Sequence, residues 1–328
     1  MSGVNERLGM DSVQEVAAGG QPGNQPGITR GGVACPCCGA VALRPRFRLA
    51  EYTVSVCGGC GVHVNETFYS DTAFRSGLFG AEYYDTNVAF DQRADRWQQD
   101  PSLPFYTRYL APIEREIGTG RVLDVGCAFG NFLKLAQSRG WSPCGVELSP
   151  YSSEVARRSG GFPVHTGPIG GCTYEAGSLD LVTFWDVIEH VVSPADDLRR
   201  ARELLRPGGR LILATDNAGG LIAQLGGWLY GATGGRWRYP VRKFFIKYNS
   251  VYFTAPQLCE LLERTGFRPL RVEPVDYPLA KLNVGTLERW LVAGLYAAGW
   301  LVGRRSQFVV VAEAVEGNSP PTLMSPMV

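Results

Sequence analysis

The sequence lacks a strong excess of either charge and contains few histidines. Its 328 residues include 32 Lys and Arg, 31 Asp and Glu and three His, which gives a net charge of +1. A charge so close to balance provides no whole-chain attraction to nucleic acid or to an anionic membrane. No internal repeat is visible, and a hydrophobic content of 45% allows a full core. The length therefore predicts one large domain or two smaller ones.

Apolar runs long enough to cross a membrane are also lacking. The most apolar run of the C-terminal part, 291–303, has 13 residues, whereas a membrane-spanning helix needs about 20. We therefore expect a buried or interfacial helix there, with peripheral membrane contact left open. The N-terminus shows no basic start followed by an apolar stretch, so we expect no secretory signal and a cytoplasmic protein.

Cysteines are too few for a disulfide scaffold, but four of the nine form two close pairs. Cys35, Cys38, Cys57 and Cys60 give the pattern Cys-x2-Cys-x18-Cys-x2-Cys, with glycine after each pair. This spacing predicts a structural Zn²⁺ held by four thiolates, and residues 41–56 alternate enough for the short strands of a zinc ribbon. A redox dithiol and an empty relic are the alternatives. Because four sulfurs would fill the coordination sphere, we expect no catalysis there.

The remaining chain predicts a parallel sheet. From residue 121 onward, short apolar strands alternate with helical stretches, which is typical of a sheet covered by helices on both faces. Strands are predicted at 121–125, 142–147, 179–184, 209–215, 268–274 and 306–314, with a weak one near 162–166. Helices are predicted over 103–117, from Phe129, from Ser193 and from Thr254 to Gly266. The predicted units are a disordered leader (1–32), a zinc-ribbon-like unit (33–65), a helical linker or cap (66–118), a main domain (119–316) and a disordered tail (317–328).

A glycine-rich turn between a buried strand and a helix is the strongest functional motif. Residues 124–130 read Asp-Val-Gly-Cys-Ala-Phe-Gly, and small residues let backbone N–H groups approach a ligand at a helix N-terminus. Glu147 ends the next strand, where a carboxylate can accept both hydroxyls of a ribose. Nicotinamide and flavin enzymes use Gly-x-Gly-x-x-Gly for a pyrophosphate, which Asp124 would repel. The acid suits a cofactor with a positive sulfonium and an α-amino group.

Residues 121–216 resemble the class I S-adenosylmethionine-dependent methyltransferases. The resemblance implies an α/β fold with a Rossmann-like sheet, mostly parallel with an antiparallel last strand, and an enzyme that transfers the methyl group of S-adenosylmethionine. The family usually has glycine where Ala128 stands. Five ordered motifs carry the resemblance: 122–130, 145–147 (Gly-Val-Glu), 178–182 (Ser-Leu-Asp-Leu-Val), 184–191 (Phe-Trp-Asp-Val-Ile-Glu-His-Val) and 204–209 (Leu-Leu-Arg-Pro-Gly-Gly).

The resemblance also implies which residues hold the cofactor. Asp124 and the turn would hold its amino-acid end, Glu147 its ribose, and Leu148 and Ile169 its adenine. The predicted cofactor-binding residues are Asp124, Gly126, Cys127, Ala128, Gly130, Glu147, Leu148, Ile169, Phe184 and Trp185.

Asp186, Glu189 and His190 follow the fourth strand, at the edge of the sheet where ligands bind. Three roles are open for them. His190 is a candidate general base, since imidazole titrates near neutrality. Alternatively, the three side chains share one face of a helical turn and hold a divalent metal, because a similar segment in ubiquinone-pathway O-methyltransferases is linked to metal use. In the third alternative, Glu189 and His190 brace the loop.

The methyl acceptor is expected to be a small molecule. A zinc ribbon ahead of such a domain resembles methyltransferases of sugar, polysaccharide and secondary-metabolite pathways, so a sugar nucleotide, a glycan or lipid precursor and a secondary metabolite are candidates. A lid insertion at about 218–253 places aromatic side chains beside cations, which suits a phosphorylated sugar, a lipid head group or a nucleobase. The alternative for this segment is a partly buried helix with a solvated basic edge.

The sequence disfavours two other functions. An RNA methyltransferase is disfavoured by the balanced charge and by the lack of an Asn-Pro-Pro-Tyr-type motif after the fourth strand, so nucleic acid is not expected as a partner. A binding protein that has lost catalysis is disfavoured by the intact Asp124, Gly126 and Glu147. The sequence leaves open the oligomeric state and the choice among O-, N- and C-methylation.

Overall fold

The computed structural model describes residues 28–29, 32–71, 94–279 and 285–315. The predicted tail and most of the predicted leader lie outside these ranges, but the end of the leader forms a short strand. The strands are β1 (Ile28–Thr29), β2 (Gly32–Val33), β3 (Leu43–Arg48), β4 (Thr53–Cys57), β5 (His63–Asn65), β6 (Arg121–Val125), β7 (Ser142–Glu147), β8 (Val164–Thr166), β9 (Leu179–Trp185), β10 (Leu205–Asp216), β11 (Val251–Tyr252), β12 (Phe267–Val275) and β13 (Gln307–Ala314).

The helices alternate with the strands of the main domain, as the sequence predicts. They are α1 (Glu66–Ser70), α2 (Leu103–Ile117), α3 (Asn131–Ser138), α4 (Pro150–Gly160), α5 (Pro194–Leu204), α6 (Leu221–Ala232), α7 (Tyr239–Phe244), α8 (Ala255–Arg264) and α9 (Thr286–Leu301), with 3₁₀ turns at Ala94–Gln99 and Ile169–Gly171. Helix α8 begins with a capping box, in which the Thr254 N–H donates to Gln257 Oε1 at 3.0 Å. Ser193 precedes α5 as predicted, but its side chain makes no capping bond.

Seven strands form the central sheet in the order β12-β13-β10-β9-β6-β7-β8. Strands β6 to β10 pair in parallel, and β13 is antiparallel to both β10 and β12. This topology confirms the predicted Rossmann-like sheet with an antiparallel last strand. Strand β10 begins earlier than predicted, because the chain leaves α5 directly into an extended Leu205 that pairs with Leu179.

The cysteine-bearing unit forms a second sheet, in the order β11-β5-β4-β3. Its strand β11 comes from the far side of the lid segment and pairs with β5, with Val251 opposite Val64. An aromatic and aliphatic cluster joins this sheet to α7, with Phe47 and Tyr52 against Phe245. The ribbon and the main domain are therefore one packed body, an arrangement that the sequence did not predict.

The apolar run 291–303 falls largely within α9. A buried helix was one of two alternatives for it, and that alternative is wrong, because Leu291 and Leu301 are exposed. Across the residues that the structure describes, no helix is both long and apolar enough to cross a membrane.

Candidate active site

The glycine-rich turn after β6 lies beside the end of β7. The two strands are parallel neighbours with Asp124 opposite Gly145, which brings Glu147 next to the turn. Its carboxylate accepts from the backbone N–H of Ala128 at 2.9 Å and from that of Ser149 at 2.8 Å. A carboxylate has about four acceptor positions, so positions remain for ligand hydroxyls. These two hydrogen bonds fix the orientation of the Glu147 carboxylate, which is the predicted acceptor for the ribose hydroxyls.

The backbone of the turn is left-handed at three positions. The angle φ is +71° at Gly126, +46° at Ala128 and +75° at Gly130. An alanine Cβ at position 126 would lie 2.5 Å from Val187 Cγ2, so the space there is also closed. Ala128 adopts a backbone that costs an L-residue about 1–2 kcal/mol, at the position where the resemblance implies glycine. Such strain collects at ligand-binding sites.

Replacing Gly126 with alanine is expected to weaken S-adenosylmethionine binding at least tenfold, because the new methyl group would push Val187 and the turn apart. Gly118→Ala is the matched control, since Gly118 has φ +77° and nothing within 4 Å of an added Cβ. Calorimetric titration of both variants measures the effect. Equal affinities for Gly126→Ala and the wild type would contradict a close-approach role for the turn.

Asp124 is a buried acid at the base of the turn. It accepts a hydrogen bond from the Thr183 hydroxyl through Oδ1 at 2.7 Å. Burial raises the pKa of Asp124 to about 8, and the nearby Glu147 charge acts in the same direction. A cation placed beside this carboxyl would favour its ionised form. The site therefore suits a ligand with a positive amino or sulfonium group.

The predicted adenine contacts differ in their accessibility. Leu148 is exposed, and Tyr151 nearby is exposed as well, so an apolar surface is open next to the predicted ribose site. Ile169 is buried in the core at the start of a 3₁₀ turn. Its side chain is therefore closed to a ligand, and only backbone atoms of that turn are left for adenine.

Two more predicted cofactor contacts have side chains in the core. Phe184 is fully buried, and because successive strand residues point to opposite faces, it cannot face the same side as Trp185. The Cys127 side chain is buried against Gly145, where an added Cβ would lie 2.7 Å from the sulfur. For Phe184 and Cys127, only backbone atoms are therefore left for the predicted cofactor contact, whereas Trp185 lines a pocket.

The pocket lies at the carboxyl ends of β9 and β12. Aromatic rings form much of its wall, with the Tyr106 and Trp185 centroids 4.9 Å apart. The indole N–H of Trp185 is buried and has no acceptor among the described residues. The pocket is thus mainly apolar with a few polar groups, and its cavity of about 20 Å³ is small, so its walls would have to move apart for an organic ligand to enter. Its lining residues are Ser102, Phe105, Tyr106, Trp185, Asp186, Tyr277, Pro278 and Gln307.

Tyr106 connects the pocket to the cofactor turn. Burial raises the pKa of Tyr106 well above its ordinary value, and the charges of Asp100, Asp124 and Asp186 act in the same direction. Its phenol therefore stays protonated at neutral pH, close to an acid of the turn and an acid of the pocket. A ligand that spans the turn and the pocket would pass this ring.

Asp186 is the member of the predicted catalytic trio that lines the pocket. It follows β9 with φ +56°, a left-handed conformation that aspartate tolerates better than most residues. The Gln307 side-chain amide donates to Asp186 Oδ1 at 3.0 Å and to Asp216 Oδ1 at 3.2 Å. Burial raises the pKa of Asp216. Gln307 therefore ties the pocket carboxylate to a buried acid behind it.

Glu189 and His190 are held by the segment that leads into β11. The Glu189 carbonyl accepts from the Ser250 N–H at 2.7 Å and from the Ser250 hydroxyl at 2.9 Å. His190 donates through Nδ1 to the Tyr248 carbonyl at 3.2 Å, since a carbonyl only accepts. Burial raises the pKa of Glu189 and lowers that of His190, so in both side chains it favours the neutral form. These contacts favour the bracing alternative.

The metal alternative for the trio finds no support in the structure. Residues 188–190 form a turn after the left-handed Asp186, so the three side chains do not share a helical face. Among the described residues, the four cysteines are the one group of three or more candidate ligands whose donor atoms all lie within 4.8 Å of one another. His190 is also absent from the pocket lining.

The four cysteine sulfurs come together as the spacing predicts. The Sγ atoms are 3.7 Å apart for Cys35 and Cys60 and 3.5 Å apart for Cys38 and Cys57. Tetrahedral Zn–S bonds of about 2.3 Å give sulfurs about 3.8 Å apart, so this group fits zinc. The Gly59 N–H donates to Cys57 Sγ at 3.3 Å, as expected where a thiolate must be stabilised.

Sequence reasoning missed most of the pocket. Phe105 and Tyr106 lie on α2, within the segment predicted only as a linker or cap, although two adjacent aromatics on a predicted helix were a visible signal. Gln307 gave no signal, because its bond to Asp186 joins residues 121 positions apart.

Comparison with known proteins adds to this geometry. A family model described as a methyltransferase domain matches residues 90–272, more than half of the chain. A ubiquinone biosynthesis O-methyltransferase from Aromatoleum aromaticum is 33% identical over 141 residues, which cover 39% of this chain and 60% of the relative. One from Xanthomonas oryzae pv. oryzae is 30% identical over 163 residues, which cover 45% and 66%. The chain thus spans less than two thirds of these relatives.

One solved structure shows a partial likeness to the chain. An S-adenosylmethionine-dependent methyltransferase from Archaeoglobus fulgidus gives a TM-score of 0.49 at 18% identity, covering 70% of this chain and 99% of that one.

Proposed function

The chain belongs to the methyltransferase domain family, and on that premise we propose that it transfers a methyl group from S-adenosylmethionine to a ring hydroxyl of a small aromatic molecule. The observation that carries the proposal is the pocket, where aromatic rings and the Asp186 carboxylate line one cavity and Tyr106 lies within reach of the Asp124 charge of the glycine-rich turn. The names of the relatives support oxygen as the methyl acceptor. A sugar nucleotide and a glycan or lipid precursor stay sequence predictions, and RNA stays the disfavoured alternative.

The residues at the turn fit the proposed cofactor. Glu147 has free acceptor positions for the ribose hydroxyls, and Asp124 offers a carboxylate to a positive group. Exposed Leu148 offers an apolar surface to adenine. When bound, S-adenosylmethionine supplies a methyl group already activated by its positive sulfur. The protein therefore has two tasks, to align the acceptor and to take its proton.

Asp186 is proposed to take that proton. Its backbone follows β9 in a fixed left-handed turn, and the Gln307 amide holds its Oδ1 at 3.0 Å. Its carboxylate lines the pocket, where it can meet the acceptor hydroxyl. The O–CH₃ bond would form as the S–CH₃ bond breaks and a neutral thioether leaves. The hydroxyl proton would pass to the Asp186 carboxylate, which becomes a neutral acid. Tyr106 and Trp185, whose rings pack against each other, would form one aromatic wall against the acceptor ring.

Replacing Asp186 with asparagine is expected to lower kcat about 10²-fold at pH 7, within the range for a general base. Cofactor affinity should change less than about threefold, a margin well below one tenfold step of 1.4 kcal/mol. The loss should shrink as pH rises, because a phenol that ionises on its own no longer needs the base. Methyl transfer to 3,4-dihydroxybenzoate, followed from pH 6 to 10 by product mass, provides the measurement.

Asp196→Asn, at an exposed acid of α5, is the matched control and should behave as the wild type. An Asp186→Asn variant with a pH-independent defect would contradict the proton-acceptor role. Transfer to a sugar nucleotide in place of the phenol would overturn the acceptor class and leave the cofactor assignment intact.

A further inference from the structure

Helix α9 carries an apolar face that no described residue covers. Leu287, Leu291 and Leu301 are 85%, 64% and 75% exposed. Their spacing places them along one side of the helix, and small residues fill the positions between them. Trp290 and Trp300 are exposed as well, near the two ends. An exposed apolar stripe of this length on a folded protein marks a surface that contacts something apolar.

This stripe continues onto the lid helices. At the start of α9, Glu288 accepts from the Tyr239 hydroxyl of α7 at 3.1 Å and pairs with Lys243 at 2.7 Å. At its end, Arg304 donates to Gln224 of α6. Helix α6 in turn exposes Trp228 and Leu225. We call this combined region, residues 221–244 and 286–305, the α6–α9 surface.

The α6–α9 surface is basic, although the whole chain is nearly neutral. Residues 221–244 and 286–305 contain seven Lys and Arg but a single acid, Glu288, against a net charge of +1 for the chain. Glu288 pairs with Lys243, and Arg305 pairs with Asp276 outside this surface. Cations therefore stand at both ends of the apolar stripe, with Arg289 near its start and Arg304 after its end.

We propose that the α6–α9 surface docks the protein onto an anionic lipid bilayer, with α9 lying in the plane of the interface. A 16-residue helix is about 24 Å long, short of the ~30 Å of a hydrocarbon core, so it rests on the membrane and does not span it. Leucines would enter the acyl boundary, tryptophans would sit at head-group level, and the cations would meet the anionic lipids.

Charge and composition decide among the occupants of this surface. A second copy would bring two strongly basic patches together and repel. Nucleic acid would meet the cations and aromatic rings but would leave the leucine stripe in water. A bilayer satisfies the apolar and the basic parts together. The proposal goes beyond methyl transfer and does not depend on which acceptor is used.

Docking would also bring the pocket close to the bilayer. Tyr277 and Pro278 line the pocket just before the segment that leads to α9, and Gln307 lines it just after. The Ser306 N–H donates to Asp276 at 3.1 Å, and this bond joins the two ends of the segment 277–305, which contains α9. An amphiphilic acceptor could thus reach the pocket from the membrane side.

Vesicle co-sedimentation of the full chain tests the proposal. We expect at least tenfold tighter binding to phosphatidylcholine vesicles with 30% phosphatidylglycerol than to phosphatidylcholine alone, with most of the difference lost in 0.5 M NaCl. The double variant Leu291→Glu/Leu301→Glu should bind at least tenfold more weakly and keep wild-type cofactor affinity. The matched control, Leu270→Glu/Val272→Glu, alters two exposed apolar residues of β12 and should bind as the wild type.

Three results would overturn the proposal. The first is a folded, cofactor-binding wild type that does not sediment with the anionic vesicles. The second is a Leu291→Glu/Leu301→Glu variant that sediments as the wild type does. The third combines two observations: the wild type does not bind vesicles, and light scattering or a gel shift shows that the double substitution abolishes a dimer or RNA binding. That result would assign the surface to a second copy of the chain or to RNA.

Discussion

Replacing Glu147 with glutamine is expected to weaken S-adenosylmethionine binding by about 10²-fold or more. The Glu147 oxygens each accept one backbone N–H, from Ala128 and Ser149, and in the proposed complex they also accept the ribose hydroxyls. Hydrogen bonds to a charged group contribute about 1.5–3 kcal/mol each. Glutamine would lose acceptor positions and would turn an NH₂ group toward one of the two backbone donors. Both effects remove the geometry that the ribose needs.

Calorimetric titration of the variant against the wild type measures this loss. Glu154→Gln is the control, since Glu154 is a partly exposed acid of the neighbouring helix α4 and pairs with Arg157 and Arg158. Its affinity should stay within about threefold of the wild type, as surface ion pairs contribute little. A Glu147→Gln variant that binds the cofactor normally would show that Glu147 supports the turn but does not contact the ribose.

Replacing Cys57 with serine is expected to remove bound zinc and to lower kcat/KM for the acceptor by about 10²-fold, while cofactor affinity falls far less. Structural zinc binding contributes about 10–16 kcal/mol in small peptides, so the ribbon sheet should open without the metal. That sheet contains β11, and Ser250 just before β11 holds the Glu189 carbonyl. The effect should therefore pass from the zinc unit to the loop that carries Asp186.

The lid should be affected by the same change. The Asn65 side chain donates to the carbonyls of Lys247 and Asn249 at 3.1 and 3.2 Å, and Phe47 packs 4.9 Å from Phe245 between ring centroids. Among the described residues, no hydrogen bond or ring contact joins the Asp124 turn to the ribbon strands, which is why cofactor binding should survive.

Metal analysis, cofactor titration and acceptor kinetics on one preparation separate these effects. Cys259→Ser, at a partly buried cysteine on α8 outside the cluster, serves as the control and should keep zinc and activity. A Cys57→Ser protein without zinc that methylates its acceptor at the wild-type rate would contradict the positioning role of the ribbon.

Local patterns in the sequence were sufficient to predict the main sheet. The alternation of short apolar runs with helices predicted every strand of the central sheet. Strands β6, β9 and β13 are buried on both faces, and such strands leave a distinct run of apolar residues. The Asp124 turn and the cysteine pairs were found because their residues are close in sequence. Even there, the face of each side chain was harder to predict, as Phe184 shows by pointing into the core next to Trp185.

Contacts between distant segments could not be predicted in this way. The pairing of β11 with β5 joins residues 63–64 to residues 251–252, and neither segment shows a partner preference. The bond from Gln307 to Asp186 and the entry of Tyr106 into the pocket likewise depend on how the helices pack. The exposure of α9 could not be predicted either, because its apolar sequence suits a core helix and an interfacial helix equally well.

The most direct test of the account is a calorimetric titration of the wild-type protein with S-adenosylmethionine. The account predicts saturable binding at one site per chain, with heat that disappears when both Glu147 and Asp124 are replaced by their amides. A folded wild-type protein that gives no saturable heat would contradict the assignment of the glycine-rich turn, and with it the proposed methyl transfer.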